Sequence, residues 1–273
     1  MNLERFKRSL VGTALGRALL HANNWRGLVK AMRTNPEKLG LLSQEICGLV
    51  VLPQLCRLGT TFLDVGSHIG SIIAEVQKFS SQIRIIAIEA IPAKATALGK
   101  KFPEITVHSC AVGESTGEVS FFIDLKAGGF SSLSRSDRTD KEVREITVPM
   151  RKLDDLVKNT EVLDVMKIDI EGAELGALRG SEEFIMRCRP AIYFESGPRE
   201  QMGYTHEDLF KWFTERNYQV FVPNRVAHNG PSLSYDSFLE AHIYPFRTLN
   251  YFALPAERRL EFRDRARLAL KTV

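Results

Sequence analysis

The stretch "VMKIDIEGAEL", residues 165–175, sets Lys167, Asp169 and Glu171 at alternate positions, with Glu174 close behind. Carboxylates grouped in this way can take a proton from a hydroxyl or receive a cationic ligand. A nearby ammonium keeps such a carboxylate ionised. In an extended chain the alternation puts Lys167, Asp169 and Glu171 on one side. A central parallel strand is normally apolar on both faces, and buried charges there are costly unless paired or exposed. The strand end is therefore expected to open into a crevice. Asp169 would reach a ligand there, Glu171 would sit at the rim, and Lys167, deeper, would pair with a carboxylate. The plainer alternative is an ion pair of Lys167 with Asp169 or Glu171 that only orders the strand end. Gly172 permits a sharp turn, and Glu174 falls in the first turn of the next helix, where negative charge is favourable.

A second group lies in "FLDVGSHIGS". Gly66 and Gly70 bracket a tight turn between a strand and a helix, and Asp64 stands just before it. Glycines let the backbone pass close to a ligand, and the helix start offers unpaired N–H groups. The spacing D-x-G-x-x-x-G differs from the dinucleotide fingerprint G-x-G-x-x-G. A carboxylate at the strand end would repel a pyrophosphate but accept a cationic or zwitterionic ligand. S-adenosylmethionine, with its amino group and sulfonium, meets that requirement. Glu89 ends the following strand, where a carboxylate can accept hydrogen bonds from ribose hydroxyls. Helix-start electrostatics before Pro92 is the alternative for Glu89.

These groups need a scaffold. Residues 1–58 read as helical, with Pro53 expected to break or kink the second helix and Gly59 to close it. From residue 60 the pattern alternates: "TTFLDVG" as strand, "SIIAEVQKFSS" as helix, "IRIIAIE" as strand, "PAKATALGKKF" as helix and "ITVHSCAV" as strand. That order predicts a parallel sheet covered by helices on both faces. "EVSFFID" and "EITVPM" read as a hairpin-like addition around a long Gly/Ser-rich loop. "LDVMKIDI", "PAIYFES", "YQVFV" and "LNYFAL" read as later strands. "GAELGALRGSEEFIMR", "THEDLFKWFTERN" and the basic "PAERRLEFRDRARLALK" read as helices.

The chain has 273 residues, 44% hydrophobic and 26% charged, ordinary for a globular protein with a sizeable core. No apolar run is long enough to span a bilayer. Cys47, Cys56, Cys110 and Cys188 form no C-x-x-C pair, so neither a zinc site nor a disulfide framework is indicated, and a reducing compartment is expected. The net charge is +4, with Lys and Arg concentrated in the first 40 residues. Such a start can touch a membrane surface or an acidic partner, or be a solvated helix face.

In order along the chain, "FLDVGSHIG", "AIEAIP", "AVGESTGEVSFF", "FSSL", "VPMRKLDDL", "DVMKIDIEGAELGALRG" and "RPAIYFES" resemble the FkbM family of S-adenosylmethionine-dependent methyltransferases. The likeness runs over about residues 45–255. It implies an α/β, Rossmann-like seven-stranded methyltransferase sheet, mostly parallel with an antiparallel last strand. It also implies methyl transfer to a hydroxyl, often on a sugar or natural product. Asp64, Gly66 and Gly70 match the cofactor loop, Glu89 the ribose-binding acid, and Asp169 and Glu171 the acidic strand end. The family loop usually carries Ala-Asn where this chain has Ser67-His68, which puts the detailed contacts of the loop in question.

The resulting expectation is a helical extension over residues 1–58 packed on a methyltransferase domain over 59–273. S-adenosyl-L-methionine is the expected cofactor. Its binding set is Asp64, Gly66, Ser67, His68, Ile69 and Gly70 in the first turn, Glu89 and Ala90 in the second, Cys110 and Ala111 in the third, and Asp169. Asp169, Glu171 and Glu195, which ends the fifth strand, are the catalytic candidates, with His68 as a further possible base. Asp169 and Glu171 would suit magnesium, but no third ligand is evident and no metal is expected. His206 reads as part of a capped helix start and Trp212 as core. Residues 223–247, with Tyr235, Phe238, Tyr244 and Phe246, and residues 124–140 are candidates for acceptor binding. The acceptor is expected to be a small molecule or glycan in the cytoplasm, and not nucleic acid. A nicotinamide-dependent oxidoreductase and a cofactor-binding scaffold without turnover are the rival readings.

Overall fold

The computed structural model describes residues 10–124, 131–132, 143–198 and 203–271. Strands β1 Thr61–Val65, β2 Arg84–Ile88 and β3 Thr106–His108 alternate with helices α3 Ser71–Phe79 and α4 Pro92–Lys101. After a small excursion come β8 Leu163–Ile168, β9 Ala191–Glu195, β10 Tyr218–Phe221 and β11 Asn250–Pro255. These form one seven-stranded sheet in the order β10-β11-β9-β8-β1-β2-β3. All neighbours are parallel except that β11 runs antiparallel between β9 and β10. This is the Rossmann-like arrangement expected, with the last strand in the chain slotted inside the sheet.

Alternation along each strand divides the core into two layers. Leu63, Val65, Ile86, Ile88, Met166, Ile168, Ile192 and Phe194 fill one face. Phe62, Ile85, Ala87, Val165, Ala191, Tyr193 and Phe252 fill the other. Both sides are buried, which is why the strands read as nearly continuous apolar runs. The second layer is closed by α2 Leu39–Leu55 through Val51, Leu52 and Leu55, and by α10 Arg259–Lys271 through Phe262 and Ala266. Buried Asp164 on β8 ties α10 down, with Arg258 Nη2 at 2.7 Å and Arg265 Nη1 at 2.6 Å. Helix α1, Ala14–Thr34, lies against α2.

Several local readings are corrected. "ITVHSCAV" is not one strand: β3 stays in the large sheet, while β4 Ala111–Val112 pairs with β7 Val143–Arg151. That second sheet, β4-β7-β5-β6, also holds β5 Gly117–Asp124 and β6 Ser131–Ser132. Apart from Ser131 and Ser132, the Gly/Ser-rich loop from residue 125 to 141 falls outside the described residues. A short helix, α5 Leu153–Leu156, follows β7. "GAELGALRGSEEFIMR" forms two helices, α6 Glu174–Arg179 and α7 Glu182–Cys188. They part at Gly180, which presses against β4's outgoing loop so closely that a Cβ would lie 2.1 Å from Gly113 O. Pro53 does not break α2, because it sits in the last turn, where the helix ends two residues later. The loop-rich region 223–247 contains a further helix, α9 Tyr235–Ala241, behind α8 His206–Glu215.

Candidate active site

The parallel strands end along one edge, and the turns leaving that edge build the site. After β1, Gly66 and Gly70 both take φ +81°, the left-handed region that glycine enters without strain. A Cβ on Gly66 would fall 2.0 Å from Asp169 O, so this glycine lets the loops after β1 and β8 touch. The N–H groups of Gly66 and Ser67 both donate to Ile88 O at 3.0 Å, tying the first loop to the end of β2. His68 also has positive φ, +50°, and its N–H donates to Glu89 Oε2 at 2.9 Å. Ile91 N–H donates to Glu89 Oε1 at 2.9 Å. Glu89 therefore buckles two loops together, while each oxygen retains capacity for a further donor. Burial raises its pKa, opposed by these backbone donors.

Lys167 is the charge centre. Its Nζ lies 3.5 Å from Asp64 Oδ1 on β1 and 3.4 Å from Asp169 Oδ2 just beyond β8. It also donates to Gly66 O at 2.8 Å. One cation thus serves two carboxylates and the turn between them. The two acids respond differently. Asp64 is 1% exposed, and neither of its oxygens receives a well-formed hydrogen bond. Burial raises its pKa, with Lys167 opposing. Burial would also raise Asp169, but Lys167 and a hydrogen bond from Glu195 outweigh it and hold it below the usual carboxylate range.

The simple alternation read from the sequence stops at Ile168, where β8 ends. Glu171 takes φ +56° in a turn and is not on an extended chain. The turn is pinned by Glu174, whose Oε1 accepts from the N–H groups of Ile170 at 2.9 Å and Gly172 at 3.2 Å. Tyr204 Oη donates to Glu174 Oε2 at 2.8 Å. Glu174 is thus a buried clamp as well as a first-turn acid. The turn brings Glu171 back toward Asp169, and one carboxylate oxygen from each of Asp169, Glu171 and Glu195 lies within 4.8 Å of the others. Burial and then the Asp169 charge push Glu171 up to about 7 and Glu195 up to about 9. At neutral pH Glu195 keeps its proton and donates it to Asp169, and Glu171 is poised between its two forms. Three such oxygens could also ligate a hard divalent cation.

These loops enclose a cavity of about 450 Å³, within the usual range for a small-molecule site. Asp64, Gly66, Ser67, His68, Ile69, Glu89, Ala90, Cys110, Ala111, Asp169 and Glu171 all line it. Gly70 and Glu195 do not line it, though Glu195 reaches Asp169 and Glu171, which do. The cavity also has walls absent from the sequence reading: Glu45 and Leu49 from α2, Lys94 from α4, Tyr193 from β9 and Asn250 from β11. Lys94, in the first turn after Pro92, had a local signal as a cation beside the Glu89 loop. The others come from a helix outside the alternating pattern and from sheet positions spelled as core, and no short-range spacing marks them. Residues 223–247 do not line the cavity. Phe238 is fully buried, while His206, at the start of α8, meets His242 with the ring centres 4.0 Å apart and the planes tilted by 39°. Trp212 is core, 4% exposed.

A cavity at the carboxyl ends of a parallel sheet with this strand order, rimmed by acids, defines the class. The family model described as "Methyltransferase FkbM domain" matches residues 64–220, more than half of the chain. This protein belongs to that family, and S-adenosylmethionine is the methyl donor such a domain takes. It is similar to "Methyltransferase 1" of Beauveria bassiana (strain ARSEF 2860), 24% identical over 144 residues, 44% of this chain and 58% of the relative. The chain thus spans little more than half the length of that curated relative. Among solved structures it is similar to methyltransferase FkbM from Methylobacillus flagellatus KT, at 20% identity and TM-score 0.45, covering 73% of this chain and 45% of the other. It is also similar to a TehB-like SAM-dependent methyltransferase from Corynebacterium glutamicum ATCC 13032 Kitasato, at 13% identity and TM-score 0.37, covering 75% and 85%.

The residues present fit that donor. Asp64 offers two buried carboxylate oxygens without well-formed donors, which an ammonium could satisfy. Glu89 remains able to accept from a diol, and the start of α3 can face a carboxylate.

Proposed function

We propose that this protein is an S-adenosylmethionine-dependent O-methyltransferase acting on a hydroxyl of a sugar, glycan or other small molecule. The observation that carries this reading is the convergence of Asp169, Glu171 and Glu195 beside the cavity, with Glu171 held near neutrality. Methyl transfer to a hydroxyl needs a proton acceptor within reach of the acceptor oxygen.

In this reading Asp64, Glu89 and the turn from Gly66 to Gly70 hold the donor. The donor, when bound, supplies a methyl group on a positively charged sulfur, already activated for in-line displacement. The chain then has three tasks. The cavity walls Leu49, Ile72 and Tyr193 exclude water from the reacting atoms. Asp169, kept ionised by Lys167, orients the acceptor hydroxyl by accepting its hydrogen bond. Glu171, in its deprotonated form, would take the proton as the oxygen–carbon bond forms and the sulfur–carbon bond breaks, the sulfur leaving as a neutral thioether. Glu195 already holds a proton at neutral pH and positions Asp169. The acidic rim argues against a phosphate-rich acceptor such as nucleic acid. Among the described residues no helix is long and apolar enough to cross a membrane. The four free cysteines support a reducing compartment, which we take to be the cytoplasm.

The test is incubation with isotopically labelled S-adenosylmethionine and a metabolite and glycan extract, followed by mass spectrometry. Label in a methyl ether is the expected result. Label only on nitrogen or carbon would overturn the oxygen acceptor, and donor binding without any transfer would leave a scaffold.

A further inference from the structure

We infer that α1 docks the protein on an anionic membrane surface. Leu15, Ala18, Ala22, Trp25, Val29 and Met32 follow one another at three- and four-residue steps, which places them in one stripe along the helix. The stripe faces outward: Trp25 is 69% exposed, Met32 65% and Leu15 61%. In the C-terminal half the opposite face, at Ala31, is packed on the protein, while Leu19 and Leu20 outside the stripe add to the exposed apolar surface, 46% and 43% exposed. Exposed Arg26, Lys30 and Arg33 flank the stripe, and α1 contains no Asp or Glu. Exposed apolar side chains with cations beside them suit a lipid interface, where the apolar groups enter the acyl boundary and the cations stay among the headgroups.

Charge decides between occupants. A second copy of α1 would bring three more flanking cations to a helix that carries no carboxylate to pair with them. A surface rich in anionic headgroups meets the cations and the apolar stripe at once. The placement also suits the cavity. Tyr244 Oη donates to Glu37 Oε2 at 2.6 Å, joining the turn after α1 to the loop that leads into β11. The first residue of β11, Asn250, lines the cavity, and exposed Ile243 and Tyr244 lie on that same loop. Glu45 and Leu49 of α2, the helix on which α1 packs, line the cavity as well. The inference needs no assumption about the reaction.

The experiment uses the full chain with vesicles of phosphatidylcholine alone or containing phosphatidylserine. The chain has two tryptophans, Trp25 and the buried Trp212, so a blue shift of fluorescence on vesicle addition reports Trp25. Co-sedimentation with the anionic vesicles, weakened by salt, and a blue shift are expected. The triple variant Arg26→Gln, Lys30→Gln, Arg33→Gln should bind on the order of 100-fold more weakly. The variant Trp25→Ser, Val29→Ser, Met32→Ser should lose binding while its circular dichroism melt is unchanged, because these side chains are exposed. Absence of binding to anionic vesicles overturns the inference. So does undiminished binding of either variant, or a concentration-dependent dimer that shields Trp25 without lipid.

Discussion

Lys167 and Asp64 face each other on adjacent parallel strands, paired in register, and their charged ends meet at 3.5 Å. The lysine is fully committed by this contact and by Asp169 at 3.4 Å, whereas Asp64 keeps unmet acceptor capacity. The asymmetry separates two substitutions. Lys167→Met leaves two acids without their cation and should destabilise the fold by about 3 kcal/mol, seen in urea unfolding. Asp64→Ala leaves Lys167 paired with Asp169. It should abolish S-adenosylmethionine binding in calorimetry and cost less stability in urea unfolding than Lys167→Met does, because one cation–carboxylate pair survives. Donor binding that survives Asp64→Ala would remove Asp64 from the site.

Asp169→Asn keeps the shape of the side chain and the hydrogen bond of its backbone N–H to Val65 O. Turnover should fall by about 100-fold or more, with a melting temperature close to that of the wild type. Wild-type turnover in this variant would refute its role.

The pH dependence follows from Glu171. Its pKa is raised to about 7 by burial and by Asp169, and the active form is the carboxylate. The rate should therefore rise with pH and level off above about 7. Well below that value it should fall about tenfold per pH unit, as expected for a single essential base. In Glu171→Gln the remaining rate should show no such limb, and a persistent limb with the same midpoint would assign the base elsewhere.

Gly66→Ala places a methyl group 2.0 Å from Asp169 O and asks alanine to hold φ +81°. Both the contact and the backbone are unfavourable, so a loss of about 3 kcal/mol or more is expected in thermal unfolding, together with loss of donor binding. A stable, donor-binding Gly66→Ala protein would show that the loops after β1 and β8 need not touch.

The segment "KIDIEGAE" folds partly as its spacing dictates and partly as distant residues dictate. That carboxylates gather after β8 was legible, because Asp169, Glu171 and Glu174 together carry more charge than the single Lys167 could pair inside a sheet. How they gather was not. Alternation predicts Asp169 and Glu171 on one side of a strand, but the chain has already turned at Glu171, held by Glu174 and Tyr204. Tyr204 is 30 residues away from Glu174, so no spacing rule joins them. The same holds for Glu45 and Leu49, which read as turns of an ordinary helix and prove to be cavity wall.

The sequence by itself determined the alternating strands and helices, the two glycines that bracket the turn after the first strand, and the acids at four strand ends. Each of these is a matter of backbone dihedrals or of side-chain periodicity over a few residues, and both are written locally. Only the tertiary structure decided which acid is ionised, which holds a proton and which keeps an unmet acceptor. Those states depend on burial and on charges brought together from β1, β8 and β9, and electrostatic energy is set by distance in space, not by separation along the chain.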